Sequence, residues 1–284
     1  MKQILAYILL VVLSFNLRAQ NTLDTINLPE VKLIEDKLGT HSIATKVDII
    51  AAQKIGSTQS VADYLSRNSA FYIKVYGALA TPTFRGTSSS QTLALWNGIP
   101  INSIANGLSD LSLFPINAFD EIAVVHGGDA SIFGSGAVGG SIHFNNASNL
   151  KLKKNIILTA EQGSFGYNSK TIRMNHCSGS SSFSTSYSTL RNKNEFEFIN
   201  LSQVLHPDQI NNYGNIEAIN KQFNYTYKAD VYNHFSFNYW ESNNEREVPT
   251  NMSVSYSDAV QFDNTKRFLF SSNHINDNVA LTCL

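Results

Sequence analysis

The chain contains 284 residues, of which 15% are charged and 11% are aromatic, and its formal net charge is −1. A net charge this close to zero does not favour nucleic acid as a partner, so we expect no nucleic-acid partner. Cys177 and Cys283 share no CxxC or His/Cys spacing. Two isolated cysteines of this kind indicate packing residues rather than a disulfide framework or a metal site.

Residues 1–20 are predicted to form an export signal. Lys2 supplies a positive charge, Ile4 to Leu13 is a ten-residue apolar run, and a plausible cleavage point lies near Ala19 or Gln20. The run is too short for a membrane-spanning helix, which needs about 20 apolar residues. We therefore predict an exported chain whose fold begins after the signal.

An extended segment follows the signal, in residues 21–40. Pro29 prevents a helix, and Val31 and Leu33 alternate with Lys32 and Ile34. Taken alone, this pattern predicts a loose N-terminal strand with polar flanks.

Residues 41–120 indicate a small unit of mixed helix and strand. Ile43 to Ile50 is strand-like, and a short helix is predicted over about Ser57 to Arg67, with Ser57 or Thr58 as its N-cap. The apolar face of this helix is predicted to consist of Val61, Tyr64 and Leu65. Another strand is predicted where apolar residues alternate, at Phe71, Ile73 and Val75.

Asn97 and Gly98 are the strongest hairpin signal in the chain. They separate two apolar runs, and both residue types tolerate left-handed backbone conformations. We predict a pair of antiparallel strands on either side of them.

The stretch from Glu121 to Asn145 is strand-like at both ends and rich in Gly, Ser and Ala between them. Its glycines allow close backbone approach, and the ones that matter most are Gly134, Gly136, Gly139 and Gly140. Three of them spell GxGxxG, but a strand rather than a helix follows, and Lys151 to Asn155 offers no acidic residue for a ribose. We therefore predict a tight turning connection, not a dinucleotide site.

Apolar and polar residues alternate repeatedly from Lys151 onward. Clear examples are Ile156, Leu158 and Ala160 in one segment and Phe235, Phe237 and Tyr239 in another. This pattern is typical of a transmembrane β-barrel, with one face toward lipid and the other toward the lumen. A soluble β-sandwich also alternates, so the pattern alone leaves both architectures open.

Three motifs resemble one known family. EIAVVHGGDASIFGSGAVGGSIHF resembles the closing motif of the plug domain of TonB-dependent outer-membrane receptors, whose usual form is close to IEVIKGPxSxLYGSGAxGGVINI. His126, Asp129 and His143 depart from the usual residues without breaking the order of the motif. Phe84-Arg85-Gly86 and the hairpin from Leu95 to Pro100 are similar to the IRG element and the VDGVP-like hairpin of the same domain.

The resemblance implies an α+β plug domain at residues 41–150, followed by antiparallel transmembrane β-barrel strands at residues 151–284. At about ten residues per strand, the second part holds roughly six to eight strands, whereas a plugged barrel has about 22. The chain also ends in VALTCL, without a terminal aromatic residue. We therefore expect a truncated receptor whose barrel is incomplete, located in the outer membrane and in contact with its lipid.

The resemblance also implies a protein partner. LPEVKLI is similar to the LPEVVVT form of the TonB box, on which a TonB-type energy-transducing protein pulls. We assign the box to Glu30, Val31, Lys32, Leu33 and Ile34. An extended segment of this kind can add as a strand to the sheet edge of a periplasmic partner.

Some plug residues are expected to have structural roles: Arg85, Asn97, Gly98, Gly134, Gly136, Gly139 and Gly140. For Arg85 we expect carboxylate partners on the barrel wall or within the plug, because a charge enclosed by a barrel is costly unless it is paired. The alternative is a surface arginine whose head group reaches water.

A small-molecule ligand is expected. QGSFGYNSKTIRM resembles a hairpin common in the cobalamin receptor group, so cobalamin is the first choice and a ferric siderophore or haem is the second. We expect contacts from two loops, Tyr76 to Thr81 and Asn102 to Leu108, because loops display adaptable polar groups. The candidate contact residues are Tyr76, Asn102 and Asn106. Asp208 and Glu217 match no calcium motif, and neither a metal nor a cofactor is expected.

An enzyme is not expected, and no catalytic residue is assigned. The sequence has no GxSxG or HExxH, and its seven histidines have no ligand spacing. The alternative from a different class is an exported β-rich adhesion or binding module. Such a module would be extracted as a soluble periplasmic protein and would need no TonB box.

Overall fold

A computed structural model describes residues 46–51, 60–76, 79–127, 133–146, 154–249, 253, 258–276 and 279–283. The predicted signal at 1–20 and the predicted TonB box at Glu30 to Ile34 lie outside these ranges. Within them, no helix is long and apolar enough to cross a membrane.

The first part of the described chain, residues 46–146, is called the plug unit below. Its elements are β1 Lys46–Ile50, α1 Val61–Asn68, β2 Tyr72–Tyr76, β3 Leu79–Thr83, β4 Thr92–Trp96, β5 Ile99–Pro100, β6 Glu121–His126 and β7 Gly140–Asn145. Five strands form a sheet in the order β1-β6-β7-β4-β5, and β2 and β3 form a separate hairpin. Strands β4 and β7 pair in parallel, and the other neighbours in the sheet are antiparallel.

Helix α1 begins later than the sequence predicts. Its N-cap is Ser60, whose side chain accepts a hydrogen bond from the Asp63 N–H at 3.1 Å, and not Ser57 or Thr58. The start is fixed by a distant segment, because the Val61 N–H donates to the Phe114 carbonyl at 2.8 Å. On the predicted apolar face, Val61 and Leu65 are fully buried and Tyr64 is partly buried.

The hairpin predicted at Asn97 and Gly98 is confirmed. Strands β4 and β5 pair antiparallel, with Trp96 opposite Ile99. The two turn residues have φ angles of 47° and 89°, as a two-residue turn that matches strand twist requires.

The second part contains a large antiparallel sheet, called the wall below. Its strands are β8 Lys154–Gln162, β9 Asn168–Ser178, β10 Ser181–Asn192, β13 Ile216–Lys228, β14 Asn233–Glu247, β15 Val260–Asn276 and β16 Val279–Cys283. Between β10 and β13 along the chain, β11 Glu197–Ile199 and β12 Asp208–Ile210 form a separate two-stranded ribbon. Seven strands pair in chain order in this sheet, with β8 and β16 at its edges. The described sheet does not close into a barrel.

The connections of the wall differ at its two ends. Strands β9 and β13 are followed by the short turns 179–180 and 229–232, whereas β10 and β14 are followed by the longer connections 193–215 and 248–259. The end with 193–215 and 248–259 is called the long-loop end. In one short turn, Asp230 accepts hydrogen bonds from the Asn233 side chain and from the backbone N–H groups of Tyr232 and Asn233, each at 2.7 Å. These donors stabilise the carboxylate and lower the pKa of Asp230.

The two faces of the wall differ as the alternation predicts. Apolar side chains on one face are exposed, including Ile156, Leu158, Phe268 and Phe270. The other face carries buried polar side chains against the plug unit, including Thr171, Ser188, Asn220 and Gln222. One apolar core joins the two parts, to which the wall contributes Ile216, Ala218, Trp240 and Leu269.

Candidate ligand-binding site

A cavity of about 680 Å³ lies between the plug unit and the wall. The plug side consists of Leu79, Pro100 to Asn106, Leu108 to Asp110, Leu113 and Phe114. The wall side includes the inward-facing residues Ser242, Asn244 and Arg246 on β14 and Gln261, Asp263, Thr265 and Arg267 on β15. Small-molecule sites typically have volumes of about 300–1,000 Å³, so the cavity is large enough for a ligand.

A second cavity, between α1 and strands β9, β10 and β13, has a volume of about 280 Å³. Its lining combines apolar side chains with hydroxyl and amide groups, among them Ser66, Ser188 and Asn192. Because it is smaller than a typical ligand site, the larger cavity is the candidate site.

An ion pair at the border of the candidate site connects the plug unit to the wall. Arg246 donates to Asp110 at 2.5 Å, and the two side chains are 8% and 14% exposed. The other oxygen of Asp110 accepts from the Ala80 N–H at 3.1 Å and from the backbone and hydroxyl of Ser112 at 3.1 and 2.7 Å. Gln261 accepts from the remaining guanidinium nitrogens of Arg246. This carboxylate therefore orients the start of β3, the turn at Ser112 and the wall at once.

A second buried ion pair lies farther along the plug unit. Arg173 on β9 pairs with Asp120, and the side chains are 3% and 6% exposed. Arg173 also donates to the Asn117 carbonyl at 3.3 Å, and the Thr171 hydroxyl donates to the Asn117 side chain at 3.4 Å. Strand β9 thus holds the segment that leads into β6.

An aromatic cluster fixes the plug unit to the middle of β14. The ring of Trp240 lies 5.6 Å from Trp96, 5.0 Å from Phe114 and 5.6 Å from Phe119, measured between centroids. The Trp240 indole N–H donates to Asn220 at 3.2 Å, and Asn220 in turn donates to the Leu113 carbonyl at 3.1 Å. This inward-facing tryptophan is 1% exposed, so it belongs to the core of the plug unit as much as to the wall.

The glycine-rich stretch closes the plug sheet through tight packing. A Cβ on Gly139 would lie 2.3 Å from the Thr87 hydroxyl oxygen, and a Cβ on Gly140 would lie 2.6 Å from the Val125 carbonyl oxygen. Gly134 and Gly136 precede them in a short turn, with φ of 90° at Gly134. The GxGxxG spacing therefore serves the close approach of neighbouring segments.

Arg85 does not have the predicted partners. It follows the end of β3, has φ of 48°, and is exposed. Its guanidinium lies 4.8 Å from the centre of the Phe84 ring, and no carboxylate among the described residues pairs with it. The prediction assumed a continuous strand, but Arg85 and Gly86 form a left-handed turn that directs the side chain outward. Arg173 and Arg246 on the wall make the plug–wall pairs instead.

The structure places the three predicted ligand-contact residues in different surroundings. Tyr76 is the last residue of β2, opposite Leu79, and its side chain and residues 77–78 lie outside the described part. Asn102 accepts from the Ala94 N–H at 2.8 Å and donates to the Thr92 and Gly107 carbonyls at 3.1 and 2.8 Å. These bonds fix the loop, and because Asn102 also lines the cavity, its contact with a ligand stays a prediction. Asn106 is exposed at the cavity and stays a candidate.

Residues 40–141 match the family model described as TonB-dependent Receptor Plug Domain. This part of the chain therefore matches the plug domain found in TonB-dependent receptors. The wall strands that follow it are antiparallel, as in the barrels of this family, and they surround one side of the plug domain.

The curated relatives of the chain include proteins described as vitamin B12 transporters. The chain is 46% identical over 67 residues to the vitamin B12 transporter BtuB of Vibrio vulnificus, and the match covers 24% of this chain and 11% of the relative. The chain is 37% identical over 107 residues to the protein of the same name from Vibrio cholerae, and this match covers 36% of the chain and 18% of the relative. The chain therefore spans less than a fifth of these relatives.

Solved structures share the fold. The siderophore receptor PiuA from Acinetobacter baumannii has a TM-score of 0.63 at 17% identity, over 84% of this chain and 35% of that chain. The copper transporter OprC has a TM-score of 0.62 at 14% identity, over 82% of this chain and 34% of that chain. At these identities the likeness concerns the fold alone.

The sequence reasoning missed the residues that connect the plug domain to the wall. Asp110, Asp120, Arg173, Arg246 and Trp240 carry these contacts. The alternation of the wall strands could have identified the wall residues among them, because Arg173, Arg246 and Trp240 each occupy an inward position. A charge or a large ring at such a position needs a partner inside the barrel. In the described residues, no group of three or more His, Cys, Asp or Glu could hold a metal ion.

Proposed function

We propose that the chain is the plug domain and first wall strands of an outer-membrane receptor that takes up cobalamin. The observation that carries the proposal is the identity of 37% over 107 residues to a protein described as a vitamin B12 transporter. The plug-domain match and the hairpin QGSFGYNSKTIRM, which the sequence places after the first wall strand, support the same assignment.

The position of the cavity would allow it to bind a ligand from the extracellular side of the membrane. In transmembrane barrels the longer loops are extracellular and the short turns periplasmic. Arg246 and Gln261 lie at the long-loop end of β14 and β15, so the cavity would open toward the outside. The exposed apolar face, with Phe268 and Phe270, would contact membrane lipid.

Uptake would require a second protein, because the plug domain fills the space beside the wall. We assign the attachment point to Glu30 to Ile34, where an extended segment can pair with the sheet edge of a TonB-type partner. Pulling on this segment would disturb the plug domain, while the buried ion pairs of Asp110 and Asp120 hold it in place until force is applied.

A ferric siderophore is the second candidate ligand. The observation that favours it is the arginine content of the cavity, which includes Arg246 and Arg267, because ferric chelates are commonly anionic. An exported adhesion module is the weaker alternative, since it gives no reason for a plug domain.

Titration calorimetry of the full-length receptor with cyanocobalamin tests the proposal. We expect saturable binding with a Kd in the micromolar range or below, and no heat from a ferric catecholate injected as the control ligand. Absence of heat with cyanocobalamin at micromolar protein, together with saturable binding of the ferric chelate, would replace cobalamin by the second candidate.

A further inference from the structure

Arg267 has an unusual position in the cavity. It lies on the inward face of β15, directly opposite Trp240 on β14. Its guanidinium carbon is 4.6 Å from the centre of the Trp240 ring, and one of its nitrogens donates to the Thr265 hydroxyl at 3.0 Å. The six-residue separation of Trp240 from Arg246 along β14 corresponds to about 20 Å. Arg267 therefore lies at the inner end of the cavity and Arg246 at its mouth.

The carboxylates that line the cavity interact with residues other than Arg267. Asp110 pairs with Arg246, and Asp263 accepts from the Gln261 amide at 2.7 Å. Asp263 and Arg267 are separated along one strand by about 13 Å. Among the described residues, Arg267 consequently has no carboxylate partner.

The other enclosed arginines of the wall provide the contrast. Arg173 pairs with Asp120, and Arg246 pairs with Asp110. A guanidinium has five N–H donors, and the contacts of Arg267 described above use one of them. Stacking on Trp240 stabilises the cation through the ring face and holds its planar donor edge in a fixed orientation.

A second polar group among the residues that line the cavity lacks a hydrogen-bond partner. Ser109 lines the cavity, is 3% exposed, and its hydroxyl has no hydrogen-bond partner in the described structure. Buried hydroxyl groups are normally hydrogen-bonded. The hydroxyl oxygen of Ser109 is enclosed, so of these two groups Arg267 is the one whose unused donors a ligand in the cavity can reach.

We infer that Arg267 binds an anionic oxygen group of the ligand, a phosphate or a carboxylate, at the inner end of the cavity. The inference rests on the proposed function, since it takes the cavity to be the ligand site. For a corrinoid, the group would be the phosphodiester of the nucleotide loop of cobalamin. For an iron chelate, it would be a charged oxygen of the chelating groups.

Two corrinoids allow a direct test with the full-length receptor. Cyanocobalamin contains the phosphodiester, and dicyanocobinamide has the same ring without it. We expect the unmodified receptor to bind cyanocobalamin about tenfold more tightly than dicyanocobinamide. In Arg267→Gln, the affinity for cyanocobalamin falls about tenfold and the affinity for dicyanocobinamide is unchanged, so the preference disappears.

Lys170→Gln is the matched control. Lys170 is exposed on β9, faces away from the buried neighbours Ser169 and Thr171 by strand alternation, and does not line the cavity. We expect this variant to keep the preference of the unmodified receptor. Equal thermal stability of the two variants shows that any loss of preference comes from the site rather than from misfolding.

The outcomes separate this inference from the proposed function. If Arg267→Gln retains the full preference for cyanocobalamin, the inference is wrong. If the receptor binds a ferric catecholate but no corrinoid, and Arg267→Gln weakens that binding about tenfold, cobalamin is wrong as the ligand while the anion-binding role stands. If binding of that chelate is insensitive to the substitution, both are wrong.

Discussion

We expect Asp120→Ala to destabilise the receptor by about 3–5 kcal/mol, because removing one partner leaves a buried charge uncompensated. Arg173 is 3% exposed and pairs with Asp120, so no water replaces the lost carboxylate. Thermal unfolding of the full-length receptor in detergent, followed by intrinsic fluorescence, measures the loss. Limited proteolysis of the plug domain provides a second readout.

Two further variants make the Asp120 result interpretable. Glu217→Ala breaks the pair with Arg191, whose side chains are 44% and 72% exposed, and we expect a change below about 1 kcal/mol. The double change Asp120→Leu with Arg173→Met removes both charges, and we expect it to be less destabilising than Asp120→Ala. Equal losses in Asp120→Ala and Glu217→Ala would contradict the description of Asp120 and Arg173 as a buried plug–wall anchor.

We expect Trp240→Ala to cost about 3–5 kcal/mol, the usual range for removing a large buried aromatic side chain. The substitution leaves a space among Trp96, Phe114 and Phe119. It also removes the donor to Asn220, which holds the Leu113 carbonyl. The midpoint of thermal unfolding should fall, and the plug domain should become more accessible to protease.

The controls for Trp240 separate packing from general effects. Trp240→Phe keeps an aromatic ring and should recover part of the stability, although the indole hydrogen bond is lost. Val231→Ala changes an exposed side chain in a short turn and should have no measurable effect. A Trp240→Ala receptor as stable as the Val231→Ala receptor would show that the aromatic cluster does not hold the plug domain against the wall.

Local features of the fold could be predicted from the sequence. Asn97 and Gly98 specify their hairpin because the turn depends on two residues that tolerate positive φ. The alternation after Lys151 predicted both the strands and their faces, since every second side chain points to the same side. The N-cap of α1 was misplaced because a backbone contact from Phe114, far away in the sequence, decides where the helix begins.

Contacts between distant segments could not be predicted in the same way. Asp120 and Arg173 are 53 positions apart, and Asp110 and Arg246 are 136 positions apart. Nothing in local spacing identifies such partners. The expectation for Arg85 used the correct physical rule, that an enclosed charge needs a partner, but applied it to a residue that a left-handed turn directs outward.

Energised uptake of cobalamin is the property that distinguishes a working receptor from a binding protein. The measurement is accumulation of labelled cyanocobalamin by cells that lack their own cobalamin receptor and express the full-length protein. We expect accumulation above the level of surface binding. Leu33→Pro should abolish accumulation but keep binding, because proline removes a backbone donor from the strand offered to the TonB-type partner. Leu33→Val is the control and should accumulate normally. Accumulation by Leu33→Pro at the unmodified rate, or surface binding without accumulation in every variant, would contradict the account.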